Sequence, residues 1–171
     1  GPRSLAGSSR FCTQSFEYPS PWQEPEAYVA CLIEKARMWG VAAIFPMTDI
    51  AMELFGERDH AFDQSIAMPI PQLEQYHRLS DKYHLTSWAH TNGIPIPPTL
   101  FIPDGRIDDA IEILHSWPVV IKPGRSLLKH RGIWRKSAVN IASDADELRR
   151  FYHEAWFLQQ PSMIQQYISG H

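Results

Sequence analysis

Trp117-Pro118-Val119-Val120-Ile121-Lys122-Pro123 sets a lysine at the end of an apolar strand with a proline directly behind it. Val119, Val120 and Ile121 form a β-branched run of the kind that sits inside a sheet. A lysine buried there is costly unless it meets a negative charge, so an anion is expected beside Lys122. The plainer alternative is a salt bridge to a carboxylate of the same lobe. Downstream, Met163-Ile164-Gln165-Gln166-Tyr167-Ile168-Ser169-Gly170 makes a second strand-like run, followed only by His171.

Around these two runs, strand and helix signals alternate. A strand is expected at Thr99–Ile102, a turn at Pro103-Asp104-Gly105, a helix from Asp108 to His115 and a strand from Pro118 to Lys122. Gly124 to Lys136 reads as a basic hairpin holding Arg125, Lys129, His130, Arg131, Arg135 and Lys136, with Gly132 as its turn and Val139-Asn140-Ile141 continuing its second arm. Ser143-Asp144-Ala145-Asp146 is a capping signature before a helix from Asp144 to Leu158, whose apolar stripe is Leu148, Phe151, Tyr152 and Ala155.

Towards the N-terminus, Tyr18-Pro19-Ser20-Pro21 reads as an extended loop. Pro25 suits a first helical turn, Tyr28, Val29, Leu32, Ile33 and Ala36 recur at helical spacing, and Gly40 suits a left-handed stop. Ala42–Phe45 predicts a short buried strand, and Thr48 caps a helix from Asp49 to Phe55. A short polar helix over Glu57–Gln64 and a strand at Ile66–Met68 lead to a helical region broken near Leu79. Ser80 is expected to cap its second piece, Asp81 to Asn92, which Gly93 ends before Ile94-Pro95-Ile96-Pro97-Pro98-Thr99. A domain boundary is expected between Pro69 and Asp81.

The 171 residues can bury a real core. With 44% hydrophobic, 12% aromatic and 20% charged residues, and 14 prolines, the composition is globular with several tight connections. A net charge of −3 of mixed sign argues against a nucleic-acid partner. Cys12 and Cys31 stand apart with no CxxC pair, which predicts free thiols and a cytoplasmic setting. No window reaches the length of a membrane span, no signal peptide is visible, and Gly1-Pro2 reads as a protease-cleavage scar.

The chemistry-bearing candidates are few. A strand-end lysine, a glycine-containing hairpin with a hydroxyl at Ser126, and Lys82 at a helix start can converge on phosphates, since a helix N-terminus already favours anions. Taken alone, Lys82 also reads as a solvated surface lysine. The eight histidines show no metal-ligand spacing, and neither a GxSxG elbow nor a GxxxxGK[ST] loop occurs. The backbone of the run Met163–Ile168 offers a flat apolar edge that could read a planar heterocycle; an ordinary core strand is the equally open alternative.

Taken in order, Asp81-Lys82, Gly93-Ile94-Pro95-Ile96-Pro97-Pro98-Thr99, Pro118-Val119-Val120-Ile121-Lys122-Pro123 and Ile164-Gln165-Gln166-Tyr167-Ile168-Ser169-Gly170 resemble the ATP-grasp superfamily, of the carbamoyl-phosphate synthase large subunit and carboxylate-amine ligase type. The resemblance implies an α/β chain: a Rossmann-like pre-ATP-grasp domain over 1–75, incomplete, followed by the α+β N-terminal lobe of an ATP-grasp domain over 76–171, with the C-terminal lobe absent. It implies an ATP-dependent carboxylate-amine or carboxylate-thiol ligase working through an acyl-phosphate, with ATP and an unidentified carboxylate as partners.

By position, Lys82 and Lys122 would contact phosphates, Ser126 would stand in the covering hairpin, and Gln165, Gln166, Tyr167 and Ile168 would bind adenine. The carbonyl of Gln166 and the N–H of Ile168 would read its edge. The Mg2+ ligands are expected in the missing lobe, so these residues alone are expected to be inactive. Where many members have glutamate in the hinge run, this chain has glutamine at 165 and 166. The alternative is a non-catalytic nucleotide-binding or interaction module. Self-association through an apolar face along the hinge strand is also expected.

Overall fold

Proline and glycine punctuate the first helix as the sequence requires. The computed structural model describes residues 6–169; the expected cleavage scar at Gly1-Pro2 and the terminal Gly170 of the hinge motif lie outside the described residues. The chain divides into two compact units, Gly1–Leu73 and Glu74–His171.

In the first unit, α1 (Pro25–Trp39) begins on a proline whose missing N–H costs nothing in a first turn. It ends at Gly40, left-handed at φ 58°, whose N–H bonds back to the carbonyls of Ala36 and Arg37. The Thr48 hydroxyl accepts the N–H of Ala51 and opens α2 (Asp49–Gly56). Tyr28 stacks on Phe55 with ring centroids 6.2 Å apart, and Phe55 meets Phe62 at 5.0 Å, so an aromatic cluster holds the two helices together.

The two strands expected here shrink. Ala42–Phe45 and Ile66–Met68 are joined only by a parallel bridge between Ala43 and Ala67, with the N–H of Ile44 on the Ala67 carbonyl and the N–H of Ala67 on the Ala42 carbonyl. Pro46 has no N–H to donate and stops the ladder at once. The polar helix expected over Glu57–Gln64 contracts to a 3-10 turn, Asp59–Ala61, since it has no apolar stripe to pack.

Across the boundary between the units and into the second, α3 (Leu73–Ser80) and α4 (Lys82–Thr91) are separated at Asp81, close to the break expected near Leu79. The cap is Asp81 and not Ser80. The Asp81 carboxylate accepts the N–H of His84 at 3.1 Å, whereas the Ser80 hydroxyl turns back to donate to the His77 carbonyl. Asp is as good a cap as Ser and adds a charge that suits a helix N-terminus.

Six strands follow: β1 (Thr99–Ile102), β2 (Val119–Pro123), β3 (Leu127–His130), β4 (Ile133–Lys136), β5 (Asn140–Ala142) and β6 (Ser162–Gln166). Four of them form a sheet in the order β1-β6-β2-β5 with every neighbouring pair antiparallel, and β3 pairs with β4 as a separate hairpin. Two helices complete the lobe, α5 (Asp108–Ile113) and α6 (Ala145–Glu154). Because β6 lies between β1 and β2, and β2 between β5 and β6, the segments β1-α5-β2 and β5-α6-β6 are two interlocked split β-α-β units.

Both helices pack on one face of the sheet. Ile107 and Ala110 from the α5 side and Leu148 and Tyr152 of α6 meet Ile102, Val119, Ile121, Ala142 and Ile164 in one core. A capping box fixes α6: the Asp144 carboxylate accepts the N–H of Glu147, and the Glu147 carboxylate accepts the N–H of Ser143, both at 2.8 Å. The helix stops at Glu154 rather than Leu158. Trp156–Gln159 tightens to a 3-10 turn, and Leu158 is fully buried.

Two further expectations change. Val139-Asn140-Ile141 does not extend the hairpin, because Ser137 closes it: its N–H donates to the Ser126 carbonyl and its hydroxyl to the Arg125 carbonyl. The chain then returns to the sheet, where β5 pairs with β2. Of the two readings of the hinge run, a flat edge and an ordinary core strand, the second holds: it is an interior strand flanked on both sides; Tyr167 and Ile168 lie beyond its end and are exposed. Cys12 and Cys31 are free thiols. Among the described residues no helix is long and apolar enough to cross a membrane.

Tyr152 ties α6 to β6 through a 2.8 Å hydrogen bond between its hydroxyl and that of Ser162. Burial pushes its phenol up from the ordinary 10.0 to about 12, against the smaller opposing effect of the Ser162 hydrogen bond. The unfolded chain therefore loses this proton first as pH rises. Stability contributed by neutral Tyr152 is complete below pH 10 and falls away between pH 10 and about 12. Tyr152→Phe is expected to cost about 1 kcal/mol at pH 7 through the lost hydrogen bond and to flatten the alkaline slope. Urea unfolding at pH 7 and across pH 9 to 11.5 measures both; an unchanged slope in the variant contradicts this assignment.

Candidate functional site

The face of the sheet away from α5 and α6 carries Lys122 and Gln165. Alternation along the strands and the cross-strand register put Phe101, Met163 and Lys122 in one row and Thr99, Gln165, Val120 and Ile141 in the next. At the β1 end, α4 covers this face: Tyr83 and His90 contact the Phe101 ring at 5.5 and 6.2 Å. Val120, Lys122 and Ile141 keep some exposure.

Lys122 is half-buried rather than buried, and among the described residues it has no hydrogen-bond or ion-pair partner. The salt bridge that is the plainer expectation does not form among the described residues. Two residues of β2, about 7 Å of strand, separate Lys122 from the Val120–Gln165 row. The face therefore has a cationic end and an amide end.

The cationic end is built at Gly124. The N–H of Lys82 donates to the Gly124 carbonyl at 2.7 Å, and the N–H of Gly124 donates to the Pro161 carbonyl at 2.9 Å. The start of α4, the exit of β2 and the entry to β6 thus meet at one residue. A side chain has no room there, since a Cβ would lie 2.9 Å from the Pro161 carbonyl oxygen and 3.1 Å from both the Asp81 Oδ1 and the Tyr83 Cβ. From this junction the Lys82 ammonium donates to the Ser126 hydroxyl at 2.7 Å. Lys82 is therefore not a merely solvated lysine, and Ser126 is its partner.

The hairpin β3–β4 rises directly after Ser126. Arg131 and Gly132 form its two-residue turn, both at positive φ (51° and 80°), as the twist of a tight hairpin demands. Lys129 sits over the Trp134 ring at 5.1 Å, and His130 packs tilted against Trp156 with centroids 4.3 Å apart. Nothing in the local sequence announces that last contact.

At the amide end, Gln165 is almost fully buried and its Nε2 donates to the Thr99 hydroxyl at 2.9 Å; that hydroxyl in turn donates to the Pro97 carbonyl at 2.7 Å. The N–H of Gln166 is taken by the Pro98 carbonyl at 3.0 Å. Tyr167 and Ile168 follow beyond β6. The structure thus joins Lys82 to Ser126, sets Lys122 and Gln165 on one face, and leaves Tyr167 and Ile168 on the exposed continuation of the strand. Nothing in the sequence pattern marks Thr99 or Gly124 as a site residue. A concavity of about 490 Å3 beside α5, lined by Leu100, Ile102, Asp104, Arg106 and Asp109 among others, includes none of the candidates.

No protein-family model matches the sequence, and no curated protein matches it. Solved structures do. The D-alanine–D-alanine ligase of Bacillus anthracis matches with a TM-score of 0.53 at 18% identity, over 82% of this chain and 43% of that one. The biotin carboxylase domain of the 2-oxoglutarate carboxylase of Hydrogenobacter thermophilus, solved with MgADP and bicarbonate, matches with a TM-score of 0.51 at 20% identity, over 84% of this chain and 32% of that one. The mixed helix-and-sheet fold matches that of ATP-grasp domains. This chain spans less than half the length of these ATP-grasp structures.

The Gly124 junction makes a direct prediction. Gly124→Ala forces the loop away from Pro161 and Asp81, and is expected to cost about 1–3 kcal/mol. Denaturant unfolding measures it; a loss below about 0.5 kcal/mol, the range of an ordinary surface change, would show that the close approach is not required.

Proposed function

We propose that this chain supplies the ATP-binding portion of an ATP-dependent carboxylate-amine or carboxylate-thiol ligase. The observation that carries the reading is Lys122: a half-buried ammonium on the open sheet face, without a protein partner among the described residues, beside a junction that presents Lys82 and Ser126. A polyphosphate satisfies that arrangement, and a planar base fits the neighbouring Val120–Gln165 row. The ATP-grasp fold supports the same reading. The carbamoyl-phosphate synthase type rests on the motif resemblance, and the Rossmann-like pre-ATP-grasp domain rests on the parallel bridge between Ala43 and Ala67 on either side of α2.

In the proposed reaction a carboxylate oxygen of the substrate attacks the γ-phosphorus of ATP, and the bond to the bridging oxygen breaks to release ADP. The acyl-phosphate formed is then attacked at its carbonyl carbon by an amine or thiol, and inorganic phosphate leaves. The part played by this chain is electrostatic. Lys122 and Lys82 neutralise charge on the phosphates, and Ser126 orients the Lys82 ammonium. Among the described residues no group of three or more His, Cys, Asp or Glu side chains could hold a metal ion.

Lys122→Met keeps the aliphatic stem and removes the charge. Calorimetric titration of ATP with magnesium is expected to show binding to the wild-type chain and at least about tenfold weaker binding to the variant, about 1.4 kcal/mol or more. Equal affinities in the two proteins would contradict the assignment of Lys122 to the phosphates.

A further inference from the structure

The three-residue relay at the amide end fixes which way the Gln165 amide points. A threonine hydroxyl has one hydrogen, and that of Thr99 is committed to the Pro97 carbonyl, which can only accept. Towards Gln165 the Thr99 oxygen can therefore act only as an acceptor, so the group facing it must be the Gln165 Nε2. The amide oxygen then points away from β1. It has no hydrogen-bond partner among the described residues, yet it is not a sealed, unsatisfied buried atom. The open sheet face thus shows a ligand an acceptor whose sense is set by a neighbour on another strand.

We infer that Thr99 is a specificity-determining positioning residue: by holding the Gln165 amide in one orientation it selects a 6-amino purine over a 6-oxo purine. Adenine carries a donor at C6 and an acceptor at N1. Hypoxanthine and guanine carry an acceptor at C6 and a donor at N1. Against the fixed oxygen of Gln165 the amino group gains a hydrogen bond, whereas the oxo group meets a second acceptor. A site built to hydrogen-bond one group discriminates strongly against a ligand that lacks it, because the polar atom that the ligand covers is then left unpaired. Without the Thr99 hydroxyl the amide can turn over and present its N–H instead, and the preference disappears. The proposal rests on the nucleotide-binding reading above.

ATP and inosine triphosphate, each with magnesium, differ only at this edge of the base and serve as the probes. Wild-type chain is expected to bind ITP at least about tenfold more weakly than ATP. Thr99→Val, which keeps the side-chain shape and removes the hydroxyl, is expected to bring the two affinities to within about threefold, and Thr99→Ser to restore the preference. Equal wild-type affinity for ATP and ITP, with both weakened by Lys122→Met, overturns the inference and leaves the nucleotide-binding reading standing. An unchanged ATP/ITP ratio in Thr99→Val also overturns it. Failure of the wild-type chain to bind either nucleotide overturns both. The wild-type comparison needs no variant, so misfolding of Thr99→Val does not protect the proposal.

Discussion

The backbone junction at Gly124 sets where the candidate groups stand. Its carbonyl receives the N–H of Lys82 and its own N–H reaches Pro161, so the start of α4, the end of β2 and the entry to β6 share one point. The absence of a side chain is what permits the approach. Two hydrogen bonds of this kind contribute only about 1 kcal/mol each, but they convert three separate chain segments into one frame. From that frame Lys82 reaches Ser126 and Lys122 emerges on the sheet face beside it.

Charge is stationed at one end of this face and hydrogen-bond polarity at the other. Lysine at the phosphate end acts as a point charge and does not require a bidentate geometry. The amide end needs direction, and direction comes from the Pro97–Thr99–Gln165 relay rather than from Gln165 alone. Rigid strands hold both ends about two residues of β-rise apart, which is the precision that a sheet gives and a loop does not.

Much of this was legible in local sequence. The β-branched run before Lys122, the proline and glycine at the ends of α1, the Thr48 cap and the capping box of α6 each follow from a few adjacent residues and appear as expected. Lys82 and Ser126, both candidates from their sequence context, meet. What local pattern missed is non-local. The interior position of β6 depends on which strands flank it, and β5 reads as a continuation of the hairpin until its pairing with β2 is seen. Ser80 and Asp81 are adjacent good caps, and only the direction of each side chain decides between them. Thr99 and Gly124 acquire their roles from partners far along the chain, so no window around either could disclose them.

Amide chemical shifts of the 15N-labelled chain, titrated separately with inorganic triphosphate, adenosine and ATP, test the two-ended face most directly. Triphosphate is predicted to move the amides of Lys82, Gly124 and Ser126, adenosine those of Gln165, Gln166 and Ile168, and ATP both groups together. ATP leaving both groups unmoved, or triphosphate and adenosine moving the same residues, would contradict a nucleotide site laid along this sheet.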